Sequence, residues 1–121
     1  MGATYAVTLK IKLKDEEAFI RNVNAFIEEL ESTNQARFGT YYDRTTVDGL
    51  VQNLITDRNY TKWEDGLYDS AFDASYGWEW VMCEAFDHMA EVLEDGSFID
   101  IFPDSGEDYG EVINGKVKWT K

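Results

Sequence analysis

The chain has 121 residues, of which 44% are hydrophobic and 15% aromatic, and its formal net charge is −13 at pH 7. This length and apolar content suit one domain with its own core, so we expect a single acidic domain over residues 1–121. The charge disfavours direct binding to nucleic acid and to anionic membranes, and favours a basic partner.

The acidic residues are concentrated in one part of the chain. Residues 1–62 contain 9 acidic and 8 basic residues, residues 63–115 contain 15 acidic residues and no lysine or arginine, and residues 116–121 contain 3 lysines. The stretch from Trp63 to Gly115 is therefore expected to attract cations and basic proteins, with association rates that fall as salt rises.

Three features of the sequence indicate the compartment. No run of about 18 apolar residues predicts a membrane span, and Met1 to Lys14 alternates apolar and polar residues where a signal peptide would have an apolar core. The lone Cys83 cannot form an intrachain disulfide, which fits a reducing compartment. We therefore expect a cytoplasmic protein.

The N-terminal part predicts a strand followed by a helix. Apolar residues at every second position from Tyr5 to Leu13 have the period of a strand with one buried face. Asp15 is placed to cap a helix that ends near residues 32–34. Its apolar stripe recurs at helical spacing: Phe19, Ile20, Val23, Phe26, Ile27 and Leu30.

The middle of the chain is less regular. Residues 38–42 are compatible with a short strand, and Thr45 resembles the cap of a second, shorter helix that extends to Ile55. Residues 58–77 mix aromatic and acidic side chains without a clear period, so the sequence predicts that this segment packs against the domain without naming an element.

The C-terminal part predicts a helix and a three-stranded meander. Ser75 is placed to cap the helix, which ends before Gly96. Residues 98–102 read as a strand stopped by Pro103, and Asn114-Gly115 is a strong signal for a two-residue hairpin. The order of elements predicts an α+β two-layer sandwich, in which strand one and the meander form a mostly antiparallel sheet covered by about three helices.

The third helix carries the main candidate surface. On a helical wheel, Trp80 lies opposite the apolar stripe, among acidic side chains. An aromatic residue among carboxylates is typical of an interaction hot spot, although an ordinary solvated helix face has the same composition. With the acidic and aromatic positions before the helix, the candidate partner-binding residues are Trp63, Glu64, Asp65, Asp69, Asp73, Trp80, Glu84, Asp87 and Glu91.

These observations lead to the hypothesis of a non-enzymatic protein-binding domain that engages a basic partner. One version is an inhibitor or immunity protein of phage or mobile-element type. In a sharper version the protein is a DNA mimic, whose carboxylates occupy the basic groove of a nucleic-acid-handling enzyme. We predict no catalytic residues, metal site or cofactor, because His88 is the only histidine and points away from Cys83 on the helical wheel.

Two alternatives remain open. One is a small-ligand-binding domain or small enzyme with an aromatic pocket lined by Trp63, Tyr68, Tyr76 and Trp78. The other is a structural subunit, and the oligomeric state is not predicted.

Lysines mark two strands. If strand one and the last strand are neighbours, their exposed lysines form a basic patch on the sheet, although edge lysines also serve to discourage aggregation. These lysines are Lys10, Lys12, Lys14, Lys116 and Lys118.

Overall fold

The computed structural model describes residues 4–38, 43–54, 61–64, 67–75, 79–102 and 108–120. The helices are α1 (Glu16–Ser32), α2 (Val47–Leu54) and α3 (Glu79–Met89), and a single 3-10 turn, Ala90–Val92, follows α3. The strands are β1 (Thr4–Lys12), β2 (Thr61–Glu64), β3 (Leu67–Ser75), β4 (Phe98–Phe102), β5 (Asp108–Ile113) and β6 (Lys116–Thr120).

The strands form one sheet in the order β2-β3-β1-β4-β5-β6, and every neighbouring pair is antiparallel. The predicted α+β class is confirmed, as is the predicted pairing of strand one with the C-terminal meander. The hairpin turn at Asn114 and Gly115 has φ angles of 53° and 78°, the left-handed backbone that a two-residue turn of this kind requires.

The core is built from one face of the sheet and the apolar stripes of the helices. Val7 pairs with Ile101 and Leu9 with Ile99, and because directly paired residues share a face, these four buried side chains lie together. They belong to one buried cluster with residues of all three helices, including Phe86. Burying each large apolar side chain contributes about 1.5 to 3 kcal/mol.

Helix caps explain where α1 and α2 begin. As predicted, Asp15 accepts a hydrogen bond from the backbone N–H of Ala18 at 3.2 Å. For α2 the predicted cap at Thr45 is wrong by one residue, because the hydroxyl of Thr46 accepts from Gly49 N–H at 3.0 Å. Thr45 instead donates to the carboxylate of Asp43.

The largest difference from the sequence prediction is the β2–β3 hairpin. Residues 61–64 and 67–75 form paired strands in the segment for which no element was predicted, and β3 pairs with β1 from Thr4↔Ser75 to Lys12↔Leu67. Ser75 therefore ends a strand and does not cap α3, which begins at Glu79. The possible strand at residues 38–42 is not found at Phe38, and residues 39–42 lie outside the described residues.

The predicted basic patch required strand one and the last strand to be neighbours, and they are not. Strands β4 and β5 separate β1 from β6, so the lysines of these two strands are not neighbours, and Lys118 pairs with Glu111. In the part of the chain that the structure describes, no helix has the length and apolar character needed to cross a membrane.

Candidate interaction surface around the third helix

Helix α3 has one buried face and one exposed face. Val81, Met82 and Phe86 are buried, whereas Trp80 and Glu84 are exposed, which is the arrangement that the helical wheel predicts. Trp80 is 40% exposed, so a large apolar surface stands in water next to carboxylates. Tryptophan is enriched at the energetic centres of protein interfaces, so Trp80 is the candidate anchor of this surface.

A groove of about 380 Å³ lies between the exposed face of α3 and strands β5 and β6. We call it the tryptophan groove, because two indoles line it together with three carboxylates. Its lining residues are Trp80, Cys83, Glu84, Asp87, Asp108, Trp119 and Thr120.

Trp119 is held in place from three sides. Its indole N–H donates to Asp87 Oδ1 at 3.0 Å, and its ring meets Phe86 edge-on, with 6.2 Å between ring centroids. Across the sheet it pairs with Gly110, where a Cβ would come within 2.7 Å of the indole. Only glycine at this position leaves room for the indole to lie over β5, so the groove has a fixed aromatic side.

A second groove, of about 540 Å³, lies between α3 and α1 on the surface. We call it the interhelix groove. Glu84 and Asp87 line this groove as well as the tryptophan groove, so they form an acidic ridge between the two. The other lining residues are Ala25, Phe26, Glu29, Leu30, Gln35 and His88.

The two grooves share an electrostatic property. None of the described residues that line them is a lysine or arginine, whereas four are carboxylates: Glu29, Glu84, Asp87 and Asp108. The salt bridges recorded between described residues join Lys12 to Glu94 and Arg44 to Glu31, and neither involves a groove carboxylate. The surface therefore presents negative charge that no described cation neutralises at short range.

Glu91 has a structural partner. The side-chain amide of Asn22 on α1 donates to Glu91 Oε2 at 3.1 Å and to the backbone oxygen of His88 at 3.0 Å. His88 Nδ1 lies 2.8 Å from Asn22 Oδ1, and since an amide oxygen only accepts, this ring nitrogen donates. Glu91 and His88 thus connect the helices, and Glu91 lines neither groove.

The candidate residues of the β2–β3 hairpin occupy different places. Asp69 and Asp73 are in β3, where they pair with Lys10 and Ala6 of β1. Trp63 and Glu64 are in β2 at the sheet edge, paired with β3. Asp65 lies outside the described residues. The structure therefore brings Trp80, Glu84 and Asp87 together in the tryptophan groove and places Asp69 and Asp73 in the strand that pairs with β1.

The groove residues that sequence reasoning missed include Trp119, Asp108 and Glu29. One usable signal existed. A two-residue turn at Asn114 and Gly115 fixes the register of its strands, which places Trp119 opposite Gly110. No comparable signal relates Glu29 to α3, because that proximity depends on how two helices pack.

The shifted pKa values have local causes. Arg44 makes two hydrogen bonds of 3.0 Å to the carboxylate of Glu31, which lowers the pKa of Glu31 and raises that of Arg44. Hydrogen bonds from Thr45 lower the pKa of Asp43. Burial, then the charge and hydrogen bond of Glu111, raise the pKa of the Tyr109 hydroxyl.

Among the described residues, no three histidine, cysteine or carboxylate side chains are grouped so that they could hold a metal ion.

Comparison with known proteins assigns no function to this chain. No protein family, curated protein or solved structure matches the chain.

Proposed function

We propose that this protein is a non-enzymatic binding domain that engages a basic segment of a partner protein through the exposed face of α3 and the two grooves beside it. The observation that carries the proposal is the position of Trp80, which is 40% exposed and lines the same groove as the acidic ridge of Glu84 and Asp87. Aromatic anchors surrounded by polar groups are the usual centres of protein interfaces.

The electrostatics support a cationic partner. The net charge of −13 steers basic proteins toward the molecule over long distances, while the groove carboxylates give close partners for lysine or arginine. Because the ridge lines both grooves, a basic segment that crosses α3 meets Glu29 on one side and Asp108 on the other.

We propose a cytoplasmic inhibitor or immunity protein, of the kind found in phages and mobile elements, as the biological form of this activity. Nucleic-acid-handling enzymes are the partners to test first, because their basic grooves gain free energy by contacting arrayed anions. The DNA-mimic hypothesis applies first to the α3 surface, where carboxylates lie beside an exposed tryptophan.

The small-ligand alternative stays a prediction. Of its four pocket residues, Tyr76 and Trp78 lie outside the described residues, and Trp63 and Tyr68 are paired in the hairpin.

A charge-reversal pair tests the proposal. Glu84→Lys changes the ridge, while Glu28→Lys makes the same change of net charge on an exposed part of α1 that lines neither groove. The measurement is fluorescence anisotropy with a labelled peptide of alternating arginine and serine, at low and at physiological salt.

We expect Glu84→Lys to weaken binding about fivefold, equivalent to about 1 kcal/mol, because it removes an attraction and adds a repulsion. Glu28→Lys should weaken it less than about twofold, through the long-range field alone. Equal effects of the two variants would contradict a site on α3. The same two variants then serve as matched baits for candidate basic enzymes.

A further inference from the structure

The geometry points to a more specific role for the tryptophan groove: it is the anchor site for one arginine side chain of the basic partner. This inference rests on the proposed function and names the chemistry that the groove selects. It is carried by the combination of two indoles, three carboxylates and a concave surface in one place.

The lining side chains match a guanidinium group. Trp80 and Trp119 both line the groove, and arginine stacks its planar cation on aromatic faces, with tryptophan the most favourable partner. The carboxylates of Glu84, Asp87 and Asp108 are acceptors for its five N–H donors.

Lysine fits the same groove less well. Its ammonium group is a compact and strongly hydrated point charge, which has three donors and no flat surface to lie against an indole. A site of carboxylates alone would not distinguish the two cations strongly, so the selectivity for arginine comes from the tryptophans.

The groove is organised before a ligand arrives. The hydrogen bond from Trp119 to Asp87 fixes both the indole and the carboxylate, and the edge contact with Phe86 limits rotation of the ring. Because these side chains are already ordered, little conformational entropy is lost when an arginine binds.

A second copy of this chain is the competing occupant. It would have to supply an exposed arginine, and the described candidates are Arg21 and Arg37 on the N-terminal half of the chain. Sizing chromatography across a range of protein concentrations separates this outcome from a foreign partner, since self-occupation would give concentration-dependent association that excess arginine peptide reverses. That result would overturn the assignment to a partner protein.

The experiment compares three short blocked peptides that differ only in a central arginine, lysine or citrulline. Citrulline keeps the planar shape and loses the charge. Binding to the full chain is followed by the NMR signals of the tryptophan indole N–H groups, with the Trp119 signal assigned from the Trp119→Phe variant. We expect the arginine peptide to shift the Trp80 and Trp119 signals, the lysine peptide to bind at least about tenfold more weakly, and citrulline to leave them unchanged.

Two variants test the geometry without removing a tryptophan. Gly110→Ala leaves every charge in place and displaces the indole of Trp119, because the new Cβ would lie 2.7 Å from it. Asp108→Asn removes the carboxylate of the first residue of β5 and is the variant to measure if Gly110→Ala fails to fold. We expect each folded variant to bind the arginine peptide at least about threefold more weakly than the wild type does. We also expect the preference for arginine over lysine to be smaller in Gly110→Ala than in the wild type.

The outcomes separate the two proposals. In one outcome, Glu84→Lys weakens binding of the basic probe more than Glu28→Lys does, but arginine and lysine peptides bind equally and the indole signals do not move. The arginine anchor is then wrong and the proposed function stands. If Glu84→Lys and Glu28→Lys behave alike, the proposed function is wrong and the anchor has lost its basis.

Discussion

The acidic stretch of this chain is folded in two different ways, and the contrast shows why a charge count does not define a surface. On α3, a spacing of three and four residues places Trp80, Glu84 and Asp87 on one exposed face beside the core. On β3, positions 69 and 73 are paired in the backbone ladder with Lys10 and Ala6 of β1. Two segments of similar composition thus enter different elements, one a helix face beside the grooves and the other a strand inside the sheet.

The two elements also differ in the contacts that connect them to the rest of the fold. The α3 surface lies over a buried apolar face and is connected to β6 through the hydrogen bond between Asp87 and Trp119. Strand β3 is joined to the fold by backbone pairing with β1. The α3 surface is the better candidate because its exposed tryptophan and its carboxylates line the same groove, and the first two of the three experiments below test that choice.

The largest effect is expected from the buried side of α3. Phe86 is 1% exposed and contacts Trp119, so Phe86→Ala should lower the free energy of unfolding by about 3 to 5 kcal/mol through lost burial and the cavity left behind. Urea denaturation measures this, with Trp80→Ala as the control on the exposed face, where we expect a loss below about 1 kcal/mol. Similar losses for the two variants would mean that α3 has no distinct inner face.

A smaller effect compares the two acidic segments directly. Asp73→Lys makes the same change of charge as Glu84→Lys but in strand β3, at the position paired with Ala6 of β1, so it should weaken binding of the basic peptide less than about twofold. The anisotropy assay described above makes the measurement at both salt concentrations. A fivefold loss for both variants would show that the net charge of the whole molecule, and not the α3 surface, attracts the peptide.

A second stability effect, smaller than that of Phe86→Ala, concerns a carboxylate whose partner is part of the fold. Arg44 lowers the pKa of Glu31 below its ordinary value, so the pair stabilises the folded state above the unfolded pKa of Glu31, and this contribution is lost as the pH falls through the lowered folded pKa. We expect Glu31→Gln to lose about 1 kcal/mol at neutral pH and to converge with the wild type in acid.

Urea denaturation from about pH 7 to about pH 2 checks the convergence. Glu29→Gln, on the same helix, is the matched control, because Glu29 is exposed and lies outside the ion pair of Glu31. A difference between Glu31→Gln and wild type that stays constant with pH would contradict the ionic origin.

Much of the fold was predictable where the signals are local. The alternation in β1, the apolar stripe of α1 and the Asn114-Gly115 turn each depend on residues close in sequence, and each element was predicted. The β2–β3 hairpin was missed because apolar and polar residues do not alternate with a two-residue period along residues 61–75. Its pairing with β1 joins residues about sixty positions apart, as Lys10 with Asp69, and no local pattern reports that distance.

The candidate site was predictable to the same extent. The helical period alone places Trp80, Glu84 and Asp87 on one face of α3. Asp108 and Glu29 come from elements whose position beside α3 is a result of tertiary packing, which sequence periodicity does not encode.

The turn at Asn114 and Gly115 also determines the chemical character of the tryptophan groove. Since strand side chains alternate between faces, a slip of one residue in the pairing of β5 with β6 would exchange the faces of β6, moving Trp119 outward and placing Lys118 on the face of Asp87. The groove would then contain its own cation and would neutralise itself. By fixing this register, the two-residue turn keeps a lysine of the same chain out of the groove.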